Sequence, residues 1–408
     1  MPTSSVPSTA AVDTGAMRNV TAEHAAASGF SLCTGGPVYF AGCRLGISAG
    51  SRHLWQFGVA IAIITWLPLV ILDAFTTSQQ PVTISFLHSL GTHVRLLFAI
   101  PMLFTAEALF DTRVPNVLRR LLEIHLVLPE DTPKLMKALR GAVRRRDSWV
   151  MECALIALTG MLIWAGLRTD VSVDVTTWRT SANGELTPAG WWYTLVSIPM
   201  FQFLLWRWGW RLLIWGEFLW RLSRLNLQLV PTHPDGAGGL AVLGVIHVDL
   251  APLALAGSAV LSSNYAEQIL YANVPLQTFA VSLTAAMIGS AIALIVPLAF
   301  FTPRLIDTRQ RGLLEYGTLA SRYTRAFAAK WMGSGQPEEP MLGTADIQSL
   351  ADLGNSFGFI RNMSVLPIGR QQIIFIFIAG ALPFLPLILT VFPLEQLIID
   401  SVKSVLNV

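Results

Sequence analysis

The chain has 408 residues, 53% hydrophobic and 13% charged, with a mean hydropathy of +0.55. Soluble domains carry about a quarter charged residues, so this composition excludes an ordinary soluble fold and points to an all-α polytopic membrane bundle. The formal charge of +3 is small and the basic residues are not gathered on one soluble domain, so nothing in the charge points to nucleic acid and no nucleic-acid partner is expected.

Residues 1–50 are rich in Ala, Ser, Thr and Gly and lack the basic start and apolar core of a secretory signal. "YFAGC" before Arg44 imitates a lipoprotein cleavage site, but no apolar segment precedes it. The expectation is a mobile cytoplasmic tail, with order beginning at "FSLCTGGPVYF", ahead of one transmembrane domain over 51–408. Cys33, Cys43 and Cys153 are too few for a disulfide framework.

A helix needs about 20 apolar residues to cross the hydrocarbon core. Seven segments meet or approach this: 54–75, 93–110, 149–167, 191–215, 240–262, 276–300 and 372–394. The second is short and ends at Glu107, and the fifth carries His247, Asp249 and Pro252. If 240–262 is re-entrant, the count falls to six. Segment 111–148 holds nine basic residues and 301–371 holds eight, whereas 76–92 and 263–275 hold none. That alternation puts the N-terminus and the basic loops in the cytoplasm. In 111–148, Thr132 is the expected N-cap and Pro133 the first helical residue of a helix running into the third span.

"FQFLLWRWGWRLLIWGEFLWRLSRLNLQLV" follows in the fourth span. At about 100° per residue, Arg207, Arg211, Glu217, Arg221 and Arg224 fall within about 140° of arc. One reading is an interfacial anchor, with Trp206, Trp208, Trp210, Trp215 and Trp220 as an aromatic belt. The other is that Arg207 and Arg211 face a polar interior. An arginine in lipid costs about 2.5–3.5 kcal/mol on the insertion scale, so a buried pair needs acids. Glu107, Glu152, Glu217 and Asp249 are the candidates.

"VPTHPDGAGGLAVLGVIHVDL" comes next. Pro231 ends the long helix, Asp235 is placed to cap the next one, and Gly236, Gly238 and Gly239 permit a tight turn. Glycine amides at a helix start also suit an anion or lipid phosphate, although Asp235 would compete with it. His233/Asp235 and His247/Asp249 repeat a His-x-Asp spacing. The 14 residues from 235 to 249 put the pairs about 20 Å apart along one helix, which argues against a shared metal ion. "HPD" also marks the chaperone-engaging loop of J-domains, but there it joins soluble helices. No HExxH, CxxC or P-loop spacing occurs, and no catalytic residue, cofactor or metal is assigned. Ionisable groups inside a span normally face a bundle interior and mark a path or relay. His247 and Asp249 are therefore the central functional candidates, with Asn264 and Glu267 continuing outward.

Tyr316, Ala320, Tyr323, Phe327 and Trp331 recur every three or four residues beyond the sixth span, giving an amphipathic helix on another helix or on the membrane surface. "GTADIQSLADLG" reads as a short helix from Thr344 to a stop at Gly354, after the linker "GSGQPEEP". Pro383, Pro386 and Pro393 should kink the last span.

"LVPTHPDGAGGL", "GTADIQSLADLGNSF" and "LPFLPLILT", with "TGGP" and "TWLPL", together resemble a family of bacterial polytopic inner-membrane proteins of hypothetical status. The resemblance covers roughly residues 190 to 400 and implies a bacterial inner-membrane location, with no activity or site. The leading functional expectation is a non-enzymatic transporter or channel. Its path would lie between the fourth, fifth and seventh spans, with His247 and Asp249 as polar groups and Arg207 and Arg211 as a positive wall. A membrane-embedded enzyme acting on a lipid-linked substrate at His233 and Asp235 is the alternative. A scaffold or sensor using 111–148 and 301–371 is the third. Expected partners are membrane lipids, with a homo-oligomer or a cytoplasmic protein as further candidates.

Overall fold

The structure is a computed structural model and describes residues 29–36, 54–79, 85–169, 177–181, 184–333, 340 and 343–391. Regular structure among these residues is helical, apart from two isolated bridges, Val127 with Leu227 and Thr180 with Leu186. Six stretches are long and apolar enough to cross a membrane: Leu54–Thr76, Leu90–Glu123, Trp149–Leu167, Val242–Tyr271, Leu276–Trp331 and Arg370–Ile388. In hydrocarbon the backbone has no water to bond, so each such stretch must close its own hydrogen-bond ladder. The chain is a multi-pass, all-α membrane bundle.

Its helices are α1 (Leu54–Gln79), α2 (Leu90–Glu123), α3 (Thr132–Arg146), α4 (Trp149–Thr169), α5 (188–223), α6 (Val242–Val248), α7 (Ala251–Tyr271), α8 (276–301), α9 (Thr302–Trp331), α10 (Ala345–Arg361), α11 (Arg370–Ala381) and α12 (Leu385–Val391). Helix α5 contains the expected fourth crossing but is not among the six, because tryptophan and arginine lower its hydropathy. It still runs from one end of the bundle to the other. Near its start, Tyr193 packs on Trp178, which packs on Phe86. Just past its end, the Asn226 amide donates to Asp131 at 2.8 Å. We call the end holding Asp131, Asn226, the 230–241 loop and the α9–α10 pair the basic end. The far end holds Phe86, Gly91, Trp178 and Tyr271.

Several helices are broken at positions the sequence explains. Pro297 and Pro383 lie in 3-10 turns, Val296–Phe301 and Leu382–Phe384, since neither can donate to an α ladder. π turns interrupt α2 at Val94–Ala99 and α5 at Tyr193–Ser197, and Arg95 bonds Tyr193 across them. Helices α6 and α7 are separated only at Asp249 and Leu250, and together Val242–Tyr271 is long and apolar enough to cross a membrane.

Some expected boundaries move. The second span does not end at Glu107 but continues as helix to Glu123, because Val114, Val117, Leu118 and Leu121 keep one face buried. Asp131, not Thr132, precedes α3 as its cap residue. Helix α3 stops at Arg146 instead of running into α4, where the Arg146 guanidinium turns back onto Asp147 at 2.8 Å. Helix α10 passes through Gly354 and ends at Arg361. The amphipathic α9 packs on α10: Tyr323 donates to the Asp346 carbonyl at 3.1 Å, and Lys330 and Trp331 donate to its carboxylate at 2.8 and 3.1 Å. Residues 1–28 and 37–50 of the expected tail, the linker at 334–339, and 392–394 with Pro393 lie outside the described residues.

Candidate functional site

Glu107 and Asp111 are four apart on α2, and Arg207 and Arg211 are four apart on α5. Residues at that spacing share a helix face, so each helix brings two like charges to one stripe. The stripes meet. Arg211 Nη1 and Nη2 donate to Glu107 Oε2 and Oε1 at 2.8 and 3.0 Å, with the two side chains only 5% and 6% exposed. The planar guanidinium matches both carboxylate oxygens, the geometry that makes a buried pair tolerable. Arg211 also lies on the Trp208 ring, 5.4 Å from its centroid.

The third side of this cluster is the segment 29–36. Three arginines hold its backbone carbonyls: Arg146 reaches Ser31 at 2.6 Å, Arg211 reaches Cys33 at 2.9 Å, and Arg207 reaches Gly35 at 3.4 Å. The Ser31 hydroxyl donates to Asp111 and accepts from the amides of Cys33 and Thr34 at 3.0 and 2.8 Å. Phe30 stacks on Phe218, 5.9 Å between centroids, and Leu32 and Cys33 are fully buried. Gly36 sits at φ +91°, where a side chain is strained, and Glu152 occupies the space a Cβ would take. Burial pushes the Cys33 thiol far above its ordinary value. This stretch, where the sequence reading puts the beginning of order, is packed into the bundle.

The other expected site residues are not gathered. His247 is buried, with Nδ1 on the Leu294 carbonyl and Nε2 accepting from the Trp215 indole at 3.2 Å. Both ring nitrogens are engaged, which fixes a neutral Nδ1–H tautomer. Asp249 pairs with Arg113 at 2.7 Å, at the α6–α7 break near the basic end. Glu267 lies at the far end, accepting from the Gly91 amide at 2.8 Å, 18 residues or about 27 Å of helix from Asp249. A polar path from His247 through Asp249 to Glu267 is therefore not assembled. The 230–241 loop closes on itself: Asp235 accepts from the amides of Ala237, Gly239 and Ala241 at 2.9, 3.1 and 3.1 Å. His233 Nδ1 lies 2.8 Å from Asp235. Gly236, at φ +67°, gives its carbonyl to the Ser364 amide at 2.7 Å. Asp235 thus ties together the amides of its own loop, and the cap residue of α6 is Ala241, not Asp235 as expected.

The belt reading of the tryptophans is corrected in part. Trp208 and Trp215 are buried, donating to the Leu103 carbonyl and to His247, while Trp220 remains exposed. Among the described residues no three His, Cys, Asp or Glu side chains are grouped to hold a metal.

No family model, curated protein or solved structure matches this chain.

What remains is the cluster's own chemistry. Three guanidinium groups face acceptor oxygens of a peptide segment, and one carboxylate faces its hydroxyl donor. Arg146, Asp111 and the carbonyls of 31–35 were not named from the sequence. The matched four-residue spacings of Glu107/Asp111 and Arg207/Arg211 were the available signal.

Proposed function

We propose that the protein is a transporter- or channel-type protein of the bacterial inner membrane, with its N-terminus and basic end in the cytoplasm. Its polar station is the Glu107–Asp111–Arg207–Arg211 cluster. This route, between α2, α4 and α5, replaces the one first expected between the fourth, fifth and seventh spans.

The observation that carries the reading is the hold of three arginines on three carbonyls of one short segment. The three guanidinium groups of Arg146, Arg207 and Arg211 face the four carboxyl groups of Glu107, Asp111, Asp147 and Glu152, so the cluster carries no excess of positive charge to select an anion. The segment offers acceptor oxygens to arginines and a hydroxyl to Asp111. A solute taking its place needs the same pattern: oxygen acceptors beside a donor, as in an amino acid or a small dipolar peptide. Residues 29–36 are then the closed state's occlusion.

The test is uptake of radiolabelled serine and glycylglycine by liposomes holding the purified chain or its Phe30→Ala/Leu32→Asp variant. The variant loosens the segment and is expected to raise uptake. Glu107→Gln/Arg211→Gln, with the charge pair neutralised, is expected to abolish it. No uptake above protein-free liposomes from any folded form refutes the proposal.

One observation favours a second reading, a cytoplasmic protein partner. Across its 30 residues α9 buries only Leu305 and Gly312, leaving Leu314 and Leu319 more than half exposed. Stoichiometric co-purification of a soluble protein, lost on Leu314→Glu/Leu319→Glu, supports it.

A further inference from the structure

Two hollows meet at Trp220, on the membrane-facing side of α5. The larger, about 490 Å³, is an apolar groove whose walls include Leu213, Trp215, Gly216, Leu250, Pro297 and Phe300. The smaller, about 250 Å³, is a basic cleft ringed by Lys134, Lys137, Arg221 and Arg224. Trp220 walls both. Leu213, Trp220 and Phe300 keep large exposed apolar surfaces, so the groove opens sideways, where lipid lies in a membrane.

The charges in the cleft are unequal. Lys134 is paired with Asp131 at 2.6 Å and Arg221 with Glu217 at 2.8 Å. Glu217, at the groove's mouth, is also held by Arg145, so two cations neutralise it. Lys137 and Arg224 are exposed and form no ion pair among the described residues; Arg224 instead lies on the Trp220 ring at 5.4 Å. Two uncompensated cations thus stand beside an interfacial tryptophan at the head of an apolar groove.

The spacing gives the site its direction. Leu212, Gly216, Trp220 and Arg224 recur every four residues, so they form one face of α5. From 212 to 224 that face is about 18 Å long, against about 15 Å of hydrocarbon in one leaflet. Gly216 keeps the groove open, since a Cβ there would meet nothing within 4 Å.

We propose that this face binds one anionic phospholipid of the leaflet at the basic end. Its phosphate sits between Lys137 and Arg224, its glycerol region crosses Trp220, and one acyl chain lies in the groove along Gly216. Neither cleft nor groove alone accounts for both the unpaired cations and the apolar hollow continuing from them.

The experiment is native mass spectrometry of the full chain released from detergent with equal phosphatidylglycerol and phosphatidylcholine. The wild type is expected to retain phosphatidylglycerol about thirtyfold better, from two basic residues at the membrane surface. Lys137→Ala/Arg224→Ala removes that preference. Gly216→Leu, whose side chain enters open space and suits a helix better than glycine, lowers retention of both lipids without lowering the melting temperature. Equal retention of the two lipids by the wild type overturns the site, as does a preference that survives the double alanine change. Retention unaffected by Gly216→Leu, or full competition by glycerol phosphate, overturns it too, because either leaves the groove no part in binding.

Discussion

Replacing Glu107 with alanine should be the most damaging single change in the buried cluster. It removes both acceptors that Arg211 holds at 2.8 and 3.0 Å. Arg211 then keeps the Cys33 carbonyl at 2.9 Å and the Trp208 face at 5.4 Å, and neither neutralises a guanidinium. Its side chain is 5% exposed, so water cannot take over. Breaking a buried pair from one side costs about 3–5 kcal/mol, or about two to three and a half powers of ten in the folding constant. Removing both charges with apolar residues, as Glu107→Leu/Arg211→Met, leaves no orphan ion and should return stability to within about 1 kcal/mol of wild type. The assay is reversible unfolding in mixed micelles followed by tryptophan fluorescence, on the wild type, each single variant and the double variant. A single-variant cost below about 1 kcal/mol, or a double variant as unstable as the singles summed, refutes the reasoning. Either result means that solvent or a lipid headgroup reaches Arg211.

In a Cys43→Ser/Cys153→Ser background, Cys33 should resist maleimide in the folded protein, since it is buried and its thiol is held protonated. Arg207→Gln/Arg211→Gln should make it react, and equal labelling rates in the two proteins would count against docking of 29–36. Asp235→Ala leaves three backbone amides without their acceptor and should cost about 2 kcal/mol in the same unfolding assay. A loss of lipid-substrate turnover with unchanged stability would instead revive a catalytic role for that loop. The Asp131 carboxyl is held below its ordinary value of 3.8 by Lys134 first and then by the Asn226 amide. A depressed acid stabilises fully above that ordinary value and ceases to as pH falls through the lowered one, so Asp131→Asn should flatten the fall in melting temperature below about pH 4. Gly244→Ala would place a Cβ 2.6 Å from the Pro367 carbonyl oxygen and 2.9 Å from Ile368 Cα. Backbone cannot yield as a side chain does, and a cost of about 1–3 kcal/mol is expected; a neutral result would mean that 367–368 moves freely.

Helical class and most crossings were legible because they rest on composition and local period, which a linear chain displays directly. The α9 stripe from Tyr316 to Trp331 was legible for the same reason, and α10 is what covers it. Pairings across the bundle were not. Asp249 was weighed as a partner for Arg211, but which acid meets which arginine depends on the axial register of α2 against α5 and α7. Extending α2 from 110 to Glu123 brought Arg113 into that register and gave Asp249 its partner. The depth of Asp249 has the same origin: the apolar stretch runs on to Tyr271 instead of ending at 262, which leaves Asp249 within about two turns of its start. The docking of 29–36 carried the weakest signal, since eight residues of mixed polarity have no period to read. Beyond the expected onset of order at Phe30, the surplus of arginines over acids on α5 is the sign that something else must accept their hydrogen bonds.

The docked segment has a consequence for biogenesis. Cys33 and the arginine that holds its carbonyl are 178 positions apart. At about 5–20 residues per second, the ribosome delivers that arginine about 10–35 s after the cysteine. The segment's berth is incomplete until α5 has been inserted, so the earliest of these pieces to be synthesised must be among the last to settle. Any chaperone or insertase that handles this chain has to leave that stretch unengaged until then.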